Sequence, residues 1–296
     1  MQSKQHVIIS ANPKSGSHNR HALVEQLRQA IELSGFHCEL LTDLALVSAR
    51  SRELADEGLL RTVIAAGGDG TASTVASLIP MEIPLTLFPT GSENLLAKYF
   101  GIKADVKSCA LVVARGRTRT LDVMQVNGKL ALLMASVGFD AEVVRRVHQS
   151  RKSHITRWSY WSAILAALAC YRWPTLNVRI LDSQGGLIES TNGNWVFVFN
   201  VPRYAAGIAI MEDAIEDDGY LDIGIFDQGG LFHGLWCYWN VCRGSHHRMK
   251  QWRRFRAHAI VIESNAEGAS CQMDGDWACP LPVAIELAPR KLALMV

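Results

Sequence analysis

The apolar positions along the chain fall into two regimes. Up to about residue 119, short β-branched or alternating runs take turns with stretches whose apolar residues recur every three or four positions. Val7-Ile8-Ile9-Ser10 reads as a buried strand, and Leu23, Leu27 and Ile31 predict a helix that Gly35 closes. Phe36, Cys38 and Leu40 alternate with polar neighbours, giving a second strand that reaches Thr42. A mixed helical stretch over 44–60 leads to a strand over 62–66, a helix beyond Thr71, a strand over 83–88, a glycine turn and a helix near Lys98. A further helix over 106–114 ends near Gly116. Such alternation predicts a doubly wound α/β domain over 1–119. From Thr120 the helical period fades. Asn127-Gly128, the favoured pair for a two-residue type I′ turn, predicts a hairpin between 120–126 and 129–137. Strand patterns follow over 176–181, 195–200, 221–226, 259–264, 283–287 and 292–296, with helices near 156–171 and 230–242. The second domain, 120–296, is therefore expected to be mainly antiparallel β; the pattern leaves open whether its last strand returns to the first domain.

Chemistry concentrates at the turns. Gly67, Gly68, Asp69, Gly70 and Thr71 lie between a predicted strand and a predicted helix. Glycines let the backbone bend sharply and approach a ligand, and open amides at a helix start attract an anion. Asp69 would repel a phosphate unless it holds Mg²⁺ or accepts a proton from an attacking hydroxyl. The plainer reading is a βα turn with Asp69 as a helix cap. Asn12-Pro13-Lys14-Ser15-Gly16-Ser17 and Pro89-Thr90-Gly91-Ser92-Glu93-Asn94 follow two other strands, so three loops would share the carboxyl end of one parallel sheet, where such sheets bind ligands. For Ser92 the alternative is a simple cap. In the second domain, Glu216-Asp217-Asp218-Gly219-Tyr220 suits a hard cation or a solvated hairpin turn, and Asp274-Gly275-Asp276 could supply a base or a metal ligand or be a plain turn. Phosphate loops in one domain and acidic turns in the other suggest phosphoryl transfer in a cleft.

Composition narrows the classes. The 296 residues are 49% apolar and 20% charged, enough for a large core. A net charge of +2 argues against a nucleic-acid partner. Seven scattered cysteines suit a reducing compartment, and Cys237, Cys242, His246 and His247 fit no zinc spacing. No apolar leader or bilayer-length run is visible, so a cytoplasmic protein is expected. Arg145, Arg146, Arg151, Lys152 and Arg157 precede Trp158, Tyr160 and Trp161, a combination that could touch an anionic membrane or form a solvated loop before a core helix. A second cluster, Arg243 to Arg256, reads as a solvated helix end or an anion site.

Taken together, the motifs resemble the diacylglycerol kinase catalytic domain family, which includes bacterial lipid kinases and sphingosine kinases. The resemblance runs through Asn12-Pro13 with Ser15-Gly16, Gly67 to Thr71, Pro89 to Ala97, Gly138-Phe139-Asp140-Ala141, Asn200-Val201 with Tyr204-Ala205, Asp218 to Asp222 and Asp274-Gly275-Asp276. It implies a nucleotide-binding α/β domain, a β-rich lipid domain, ATP and Mg²⁺ as cofactors, a lipid substrate and passing contact with a membrane surface. By the same resemblance Asn12, Thr42, Gly67, Gly68, Asp69, Gly70, Thr71 and Ser92 line the ATP site. Asp218 and the carbonyls of Ile215 and Tyr220 form a structural Mg²⁺ site. Asp276 stands where bacterial members carry a catalytic Glu, one methylene shorter, with Asp69 expected to assist; Ser92 replaces the usual Thr. An NAD kinase and a non-catalytic lipid- or nucleotide-binding relative are the alternatives.

Overall fold

A computed structural model describes residues 4–11, 18–149, 164, 166–167, 171–202, 210–266 and 268–296. The chain divides into two compact units, Met1–Asp122 with Pro289–Val296, and Val123–Ala288.

In the first unit, β1 (His6–Ala11), β2 (His37–Leu41), β3 (Leu60–Gly67) and β4 (Leu85–Pro89) form a parallel sheet in the order β2-β1-β3-β4. The order continues through β18 (Leu292–Met295), parallel to β4, to β5 (Thr118–Leu121), which runs antiparallel to β18. The last strand thus completes the first sheet. Continuous burial along β1 and β3 explains their uninterrupted apolar runs, because helices cover both faces. Helices α1 (His18–Leu33) and α5 (Val106–Arg115) pack on Val7, Ile9, Ile64 and Phe88. Helices α2 (Leu44–Asp56) and α3 (Asp69–Leu78) contact the strands and each other. The order of strand addition reverses between β1 and β3, the switch point at which such sheets open a crevice beyond their strand ends. A short helix, α4 (Leu95–Tyr99), follows β4.

The second unit holds two antiparallel six-stranded sheets. One has the order β10 (Leu187–Gly193), β9 (Leu176–Leu181), β14 (Ala259–Glu263), β17 (Val283–Leu287), β6 (Met124–Val126), β7 (Lys129–Ala131). The other has the order β13 (Trp252–Ala257), β12 (Leu221–Phe226), β11 (Trp195–Phe199), β8 (Met134–Gly138), β15 (Ser270–Met273), β16 (Asp276–Pro280). Val178, Ile180, Val196, Val198, Ile223, Ile260 and Ile285 meet in a core between them. The alternate residues of β11, Trp195, Phe197 and Phe199, are also buried, on the opposite face. Phe139 at the start of α6 (Phe139–Gln149) stacks on Trp173 and meets Trp195 edge-on, so an aromatic layer covers that face. Helix α7 (Leu231–Cys242) carries Gly234 against the Trp173 ring.

Three expectations need correction. The hairpin around Asn127-Gly128 forms, but only to Ala131; the chain then crosses, and Met134–Gly138 joins the other sheet. The arginine-rich stretch after Met249 is not a helix end. It is edge strand β13, paired among the described residues only with β12, with its two end residues, Trp252 and Ala257, buried. Arg145 and Arg146 lie within α6, and both grip Glu142, whose side chain is 5% exposed. They are thus structural and not part of a solvated loop. The helix expected over 156–171 and the aromatic run from Trp158 lie outside the described residues, apart from 164, 166–167 and 171.

Candidate active site

The glycine stretch ends β3 and begins α3, with Gly68 at the cap position. Gly67 offers its carbonyl to the amides of Thr90 (3.0 Å) and Gly91 (3.3 Å), so the loops after β3 and β4 are fastened to each other. Gly67 and Gly91 are there for space. A Cβ on Gly91 would stand 2.4 Å from the Gly68 Cα, and one on Gly67 would meet the Thr71 side chain. No side chain caps α3, which leaves its first amides available to an anion.

Asp69 does not cap its own helix. Its two carboxylate oxygens accept the amides of Leu95 (2.9 Å) and Leu96 (3.0 Å), the first turn of α4. Burial pushes its pKa up, and those two amides and Lys98 pull it back. The carboxylate is therefore a brace between the two loops as well as a charge beside them. It also excludes the plain capping role for Ser92, which is exposed in the loop, while Asn94, in the left-handed region at φ 51°, sits at the cap position. The Asn94 side-chain amide donates to the Gly91 carbonyl at 2.8 Å, a further tie in the same loop. Thr42 is exposed just past the end of β2. Thr42, Gly67 to Thr71 and Ser92 thus all stand at the carboxyl ends of parallel strands; Asn12 lies outside the described residues.

In the second unit, Asp274 and Gly275 have φ of 49° and 85° and form the two-residue turn between β15 and β16, with Met273 opposite Asp276. The two carboxylates have different surroundings. Asp274 accepts three backbone amides, from Leu132 (2.9 Å), Leu133 (2.9 Å) and Met134 (3.1 Å). Asp276 opens β16 and is exposed. Behind the turn lies a buried polar chain that sequence reasoning missed. Gln272 accepts the Gly275 amide (3.0 Å) and donates to Ser136 (2.9 Å) and Asp140 (3.2 Å); Ser136 donates to Asp140 at 2.5 Å. Asn200 donates to the Leu132 carbonyl at 2.8 Å. Asp140, Asn200 and Asp274, far apart in sequence, thus converge on the support of one turn. The family motifs contain Asp140, Asn200 and Asp274, but nothing in the sequence assigns the three to one turn.

The other acidic turn is arranged differently. One oxygen of Asp218 accepts the Tyr220 amide at 3.1 Å and the other is paired with Arg256, whose guanidinium lies over the Tyr220 ring. Ile215 and Tyr220 are exposed. A hard cation prefers several oxygens with net negative charge. Here the only carboxylate of the set is already neutralised by a guanidinium, so as arranged these residues do not fit Mg²⁺. Among the described residues, no group of three or more His, Cys, Asp and Glu side chains could hold a metal ion.

Comparison with known proteins agrees with this geometry. Residues 6–126 match the family model for the diacylglycerol kinase catalytic domain. Residues 134–296 match that of the YegS C-terminal NAD kinase beta sandwich-like domain. The chain belongs to the diacylglycerol kinase family. Relatives include a diacylglycerol kinase of Mycobacterium tuberculosis, 30% identical over 79% of this chain and 76% of that protein. Another is the diacylglycerol kinase of Bacillus subtilis, 27% identical over 93% and 90%. In fold the chain is similar to a diacylglycerol kinase from Bacillus anthracis (TM-score 0.71, 20% identity, 99% and 96% covered). It is also similar to an NAD kinase from Archaeoglobus fulgidus in complex with ATP (0.57, 12%, 99% and 93%). Kinase-family membership supports phosphotransferase activity, and no described helix is long and apolar enough to cross a membrane.

Proposed function

We propose that the protein is an ATP-dependent lipid kinase that transfers the γ-phosphate to a hydroxyl of diacylglycerol, a sphingoid base or a related lipid. The observation that carries the nucleotide half is the approach of Gly91 to Gly68, which leaves a cradle of bare backbone at the carboxyl ends of β3 and β4, beside the switch point of a parallel sheet. The uncapped first turn of α3 supplies amides to the phosphates, and Thr42, Thr71 and Ser92 supply polar side chains at the same strand ends; Asn12 joins them by the family resemblance. Asp69 holds the second loop in register with the first. Its remaining lone pairs face the charge of the nucleotide, which Mg²⁺ offsets when bound.

In the same reading the first unit binds nucleotide and the second binds lipid. Asp276, exposed on a turn whose support is buried, takes the proton of the acceptor hydroxyl. The hydroxyl oxygen bonds to the γ-phosphorus as the bond to ADP breaks. The chain works in the cytoplasm, at the inner face of the membrane where its substrate resides.

The test is incubation of the purified protein with labelled ATP, Mg²⁺ and a total lipid extract, with NAD in a parallel arm and Asp276→Asn as control. A labelled lipid that disappears in the control is the expected result. Label in NAD alone would move the assignment to the nucleotide substrate, and label in neither would overturn the kinase reading.

A further inference from the structure

We propose that the outward face of α7 docks the protein on the surface of an anionic lipid bilayer. This rests on the lipid-kinase reading for its purpose, and on α7 itself for its physics. The helix contains no charged residue. Gly234, Cys237, Asn240 and Val241 are buried, and Gly234 lies so close to Trp173 that a Cβ would fall 2.2 Å from the indole. The helix is therefore held by one face. The other face carries Leu231, Phe232, Leu235, Trp236 and Trp239, spaced so that they share one side of the cylinder. Phe232 is 84% exposed, and Trp236 and Trp239 are each 57% exposed. Five large apolar side chains on one exposed helix face are more than a monomeric soluble surface ordinarily leaves in one place.

Charge decides the occupant. From Gln228 to Ile262 the sequence has no Asp or Glu. Arg253, Arg254 and Arg256 are turned to Asp227, Asp213, Asp222 and Asp218. Arg243, Arg248 and Lys250, which follow the helix and are exposed, form no ion pair among the described residues. Arg243 lies 5.3 Å over the Trp239 ring, which holds a guanidinium at the rim of the apolar face. Indole rings and cations side by side match the interface of a bilayer, where the rings reach the acyl boundary and the cations meet anionic headgroups. Twelve residues of helix are about 18 Å long, too short to span, so the helix lies in the plane of the surface. A second copy of the chain would set two cationic rims together with no acid on either face.

Flotation of the full protein with phosphatidylcholine vesicles, with and without phosphatidylglycerol, tests this. Trp236→Ser with Trp239→Ser should weaken binding by roughly tenfold per ring on both vesicle types. Arg243→Gln, Arg248→Gln and Lys250→Gln together should weaken it by roughly fivefold per cation on the anionic vesicles only. All five positions are exposed, and circular dichroism checks that the fold is kept. Absence of wild-type binding, or binding that survives both variants, overturns the proposal. So does a dimer that the tryptophan variant converts to monomer with vesicle binding unchanged. The vesicles contain no substrate, and phosphorylation of detergent-dispersed lipid is measured separately. Failure of docking is thereby distinguished from failure of the kinase reading.

Discussion

Asp274→Asn separates support from chemistry in the turn that carries Asp276. Both Asp and Asn accept the left-handed conformation at position 274, and Asn before Gly275 favours the same type I′ turn. The substitution therefore leaves the turn chemistry intact and removes only the second acceptor oxygen and the charge. The remaining oxygen can serve Leu133 and Met134, which now share Oδ1, but the Leu132 amide, held by Oδ2, would face an NH₂ group. Leu132 is 1% exposed, so water does not replace the lost partner. A hydrogen bond to a charged group contributes about 1.5–3 kcal/mol, and the other two weaken when their acceptor becomes neutral. The total is about 3 kcal/mol, which for a unit of this size lowers Tm by about 6–12 °C.

All eight tryptophans lie between positions 158 and 277, within the second unit, so tryptophan fluorescence reports its unfolding alone. Asp276→Asn is a surface change and should move that transition by about 0.5 kcal/mol or less while cutting turnover by about 10² or more. Asp274→Asn should show the large thermal shift and, below its transition, a smaller loss of turnover. A variant at 274 that melts like the wild type yet is inactive would refute the division of labour and make Asp274 the group in contact with the reacting atoms.

Other consequences can be measured independently. Gly91→Ala would place a methyl 2.4 Å from the Gly68 Cα; it should cost about 1–3 kcal/mol and abolish the rise in Tm that ATP gives the first unit. Cys279 accepts a hydrogen bond from Asn127, and its pKa is brought down to about 7, with the thiol of Cys271, its neighbour across the β15–β16 pair, the chief cause; burial pushes Cys38 and Cys109 up to about 12. Iodoacetamide should therefore label Cys279 at half its maximal rate near pH 7, and Cys271→Ala should move that midpoint up toward about 8.5. Burial alone would raise Glu142, but Arg145 and Arg146 hold its pKa below the ordinary value. A depressed carboxylate contributes stability above its unfolded pKa and loses it as pH falls through the folded one. Glu142→Gln should thus lower the second unit's Tm at pH 7, and the difference should close below about pH 4.

The parallel sheet was legible because its strands and helices differ in period and most are closed by a glycine or proline. The second unit was harder. Strand β13 reads Trp-Arg-Arg-Phe-Arg-Ala, and only the acids on β12 and its flanks explain so many arginines on an edge strand. Strands β15 and β16 have four and five residues, too few to show a period. Helix α6 could have been found, since Phe139, Val143 and Val147 recur every four residues and all are buried. Asn127-Gly128 and Asp274-Gly275 adopt the same turn; the first reads as a hairpin outright, whereas the second reads either as a turn or as a base or metal ligand. The carboxylate at 274 is what keeps both readings open there.

That asymmetry has a common physical source in both units. Asp69 and Asp274 are acids in glycine-rich motifs, and a sequence shows their charge but not the amides they face. Each proves to be a long-range clamp, Asp69 reaching 26 and 27 positions along the chain and Asp274 reaching 140 to 142. A carboxylate can accept several hydrogen bonds at once, so one such residue fixes a loop that apolar packing cannot reach. The glycine beside it gives up side-chain contacts to keep the backbone bare for a ligand, and the acid restores the rigidity that bareness costs. An Asp whose oxygens are taken up by backbone amides is therefore a weak candidate for a catalytic base. The stronger candidate is Asp276, an exposed carboxylate on the other side of Gly275 from the clamp.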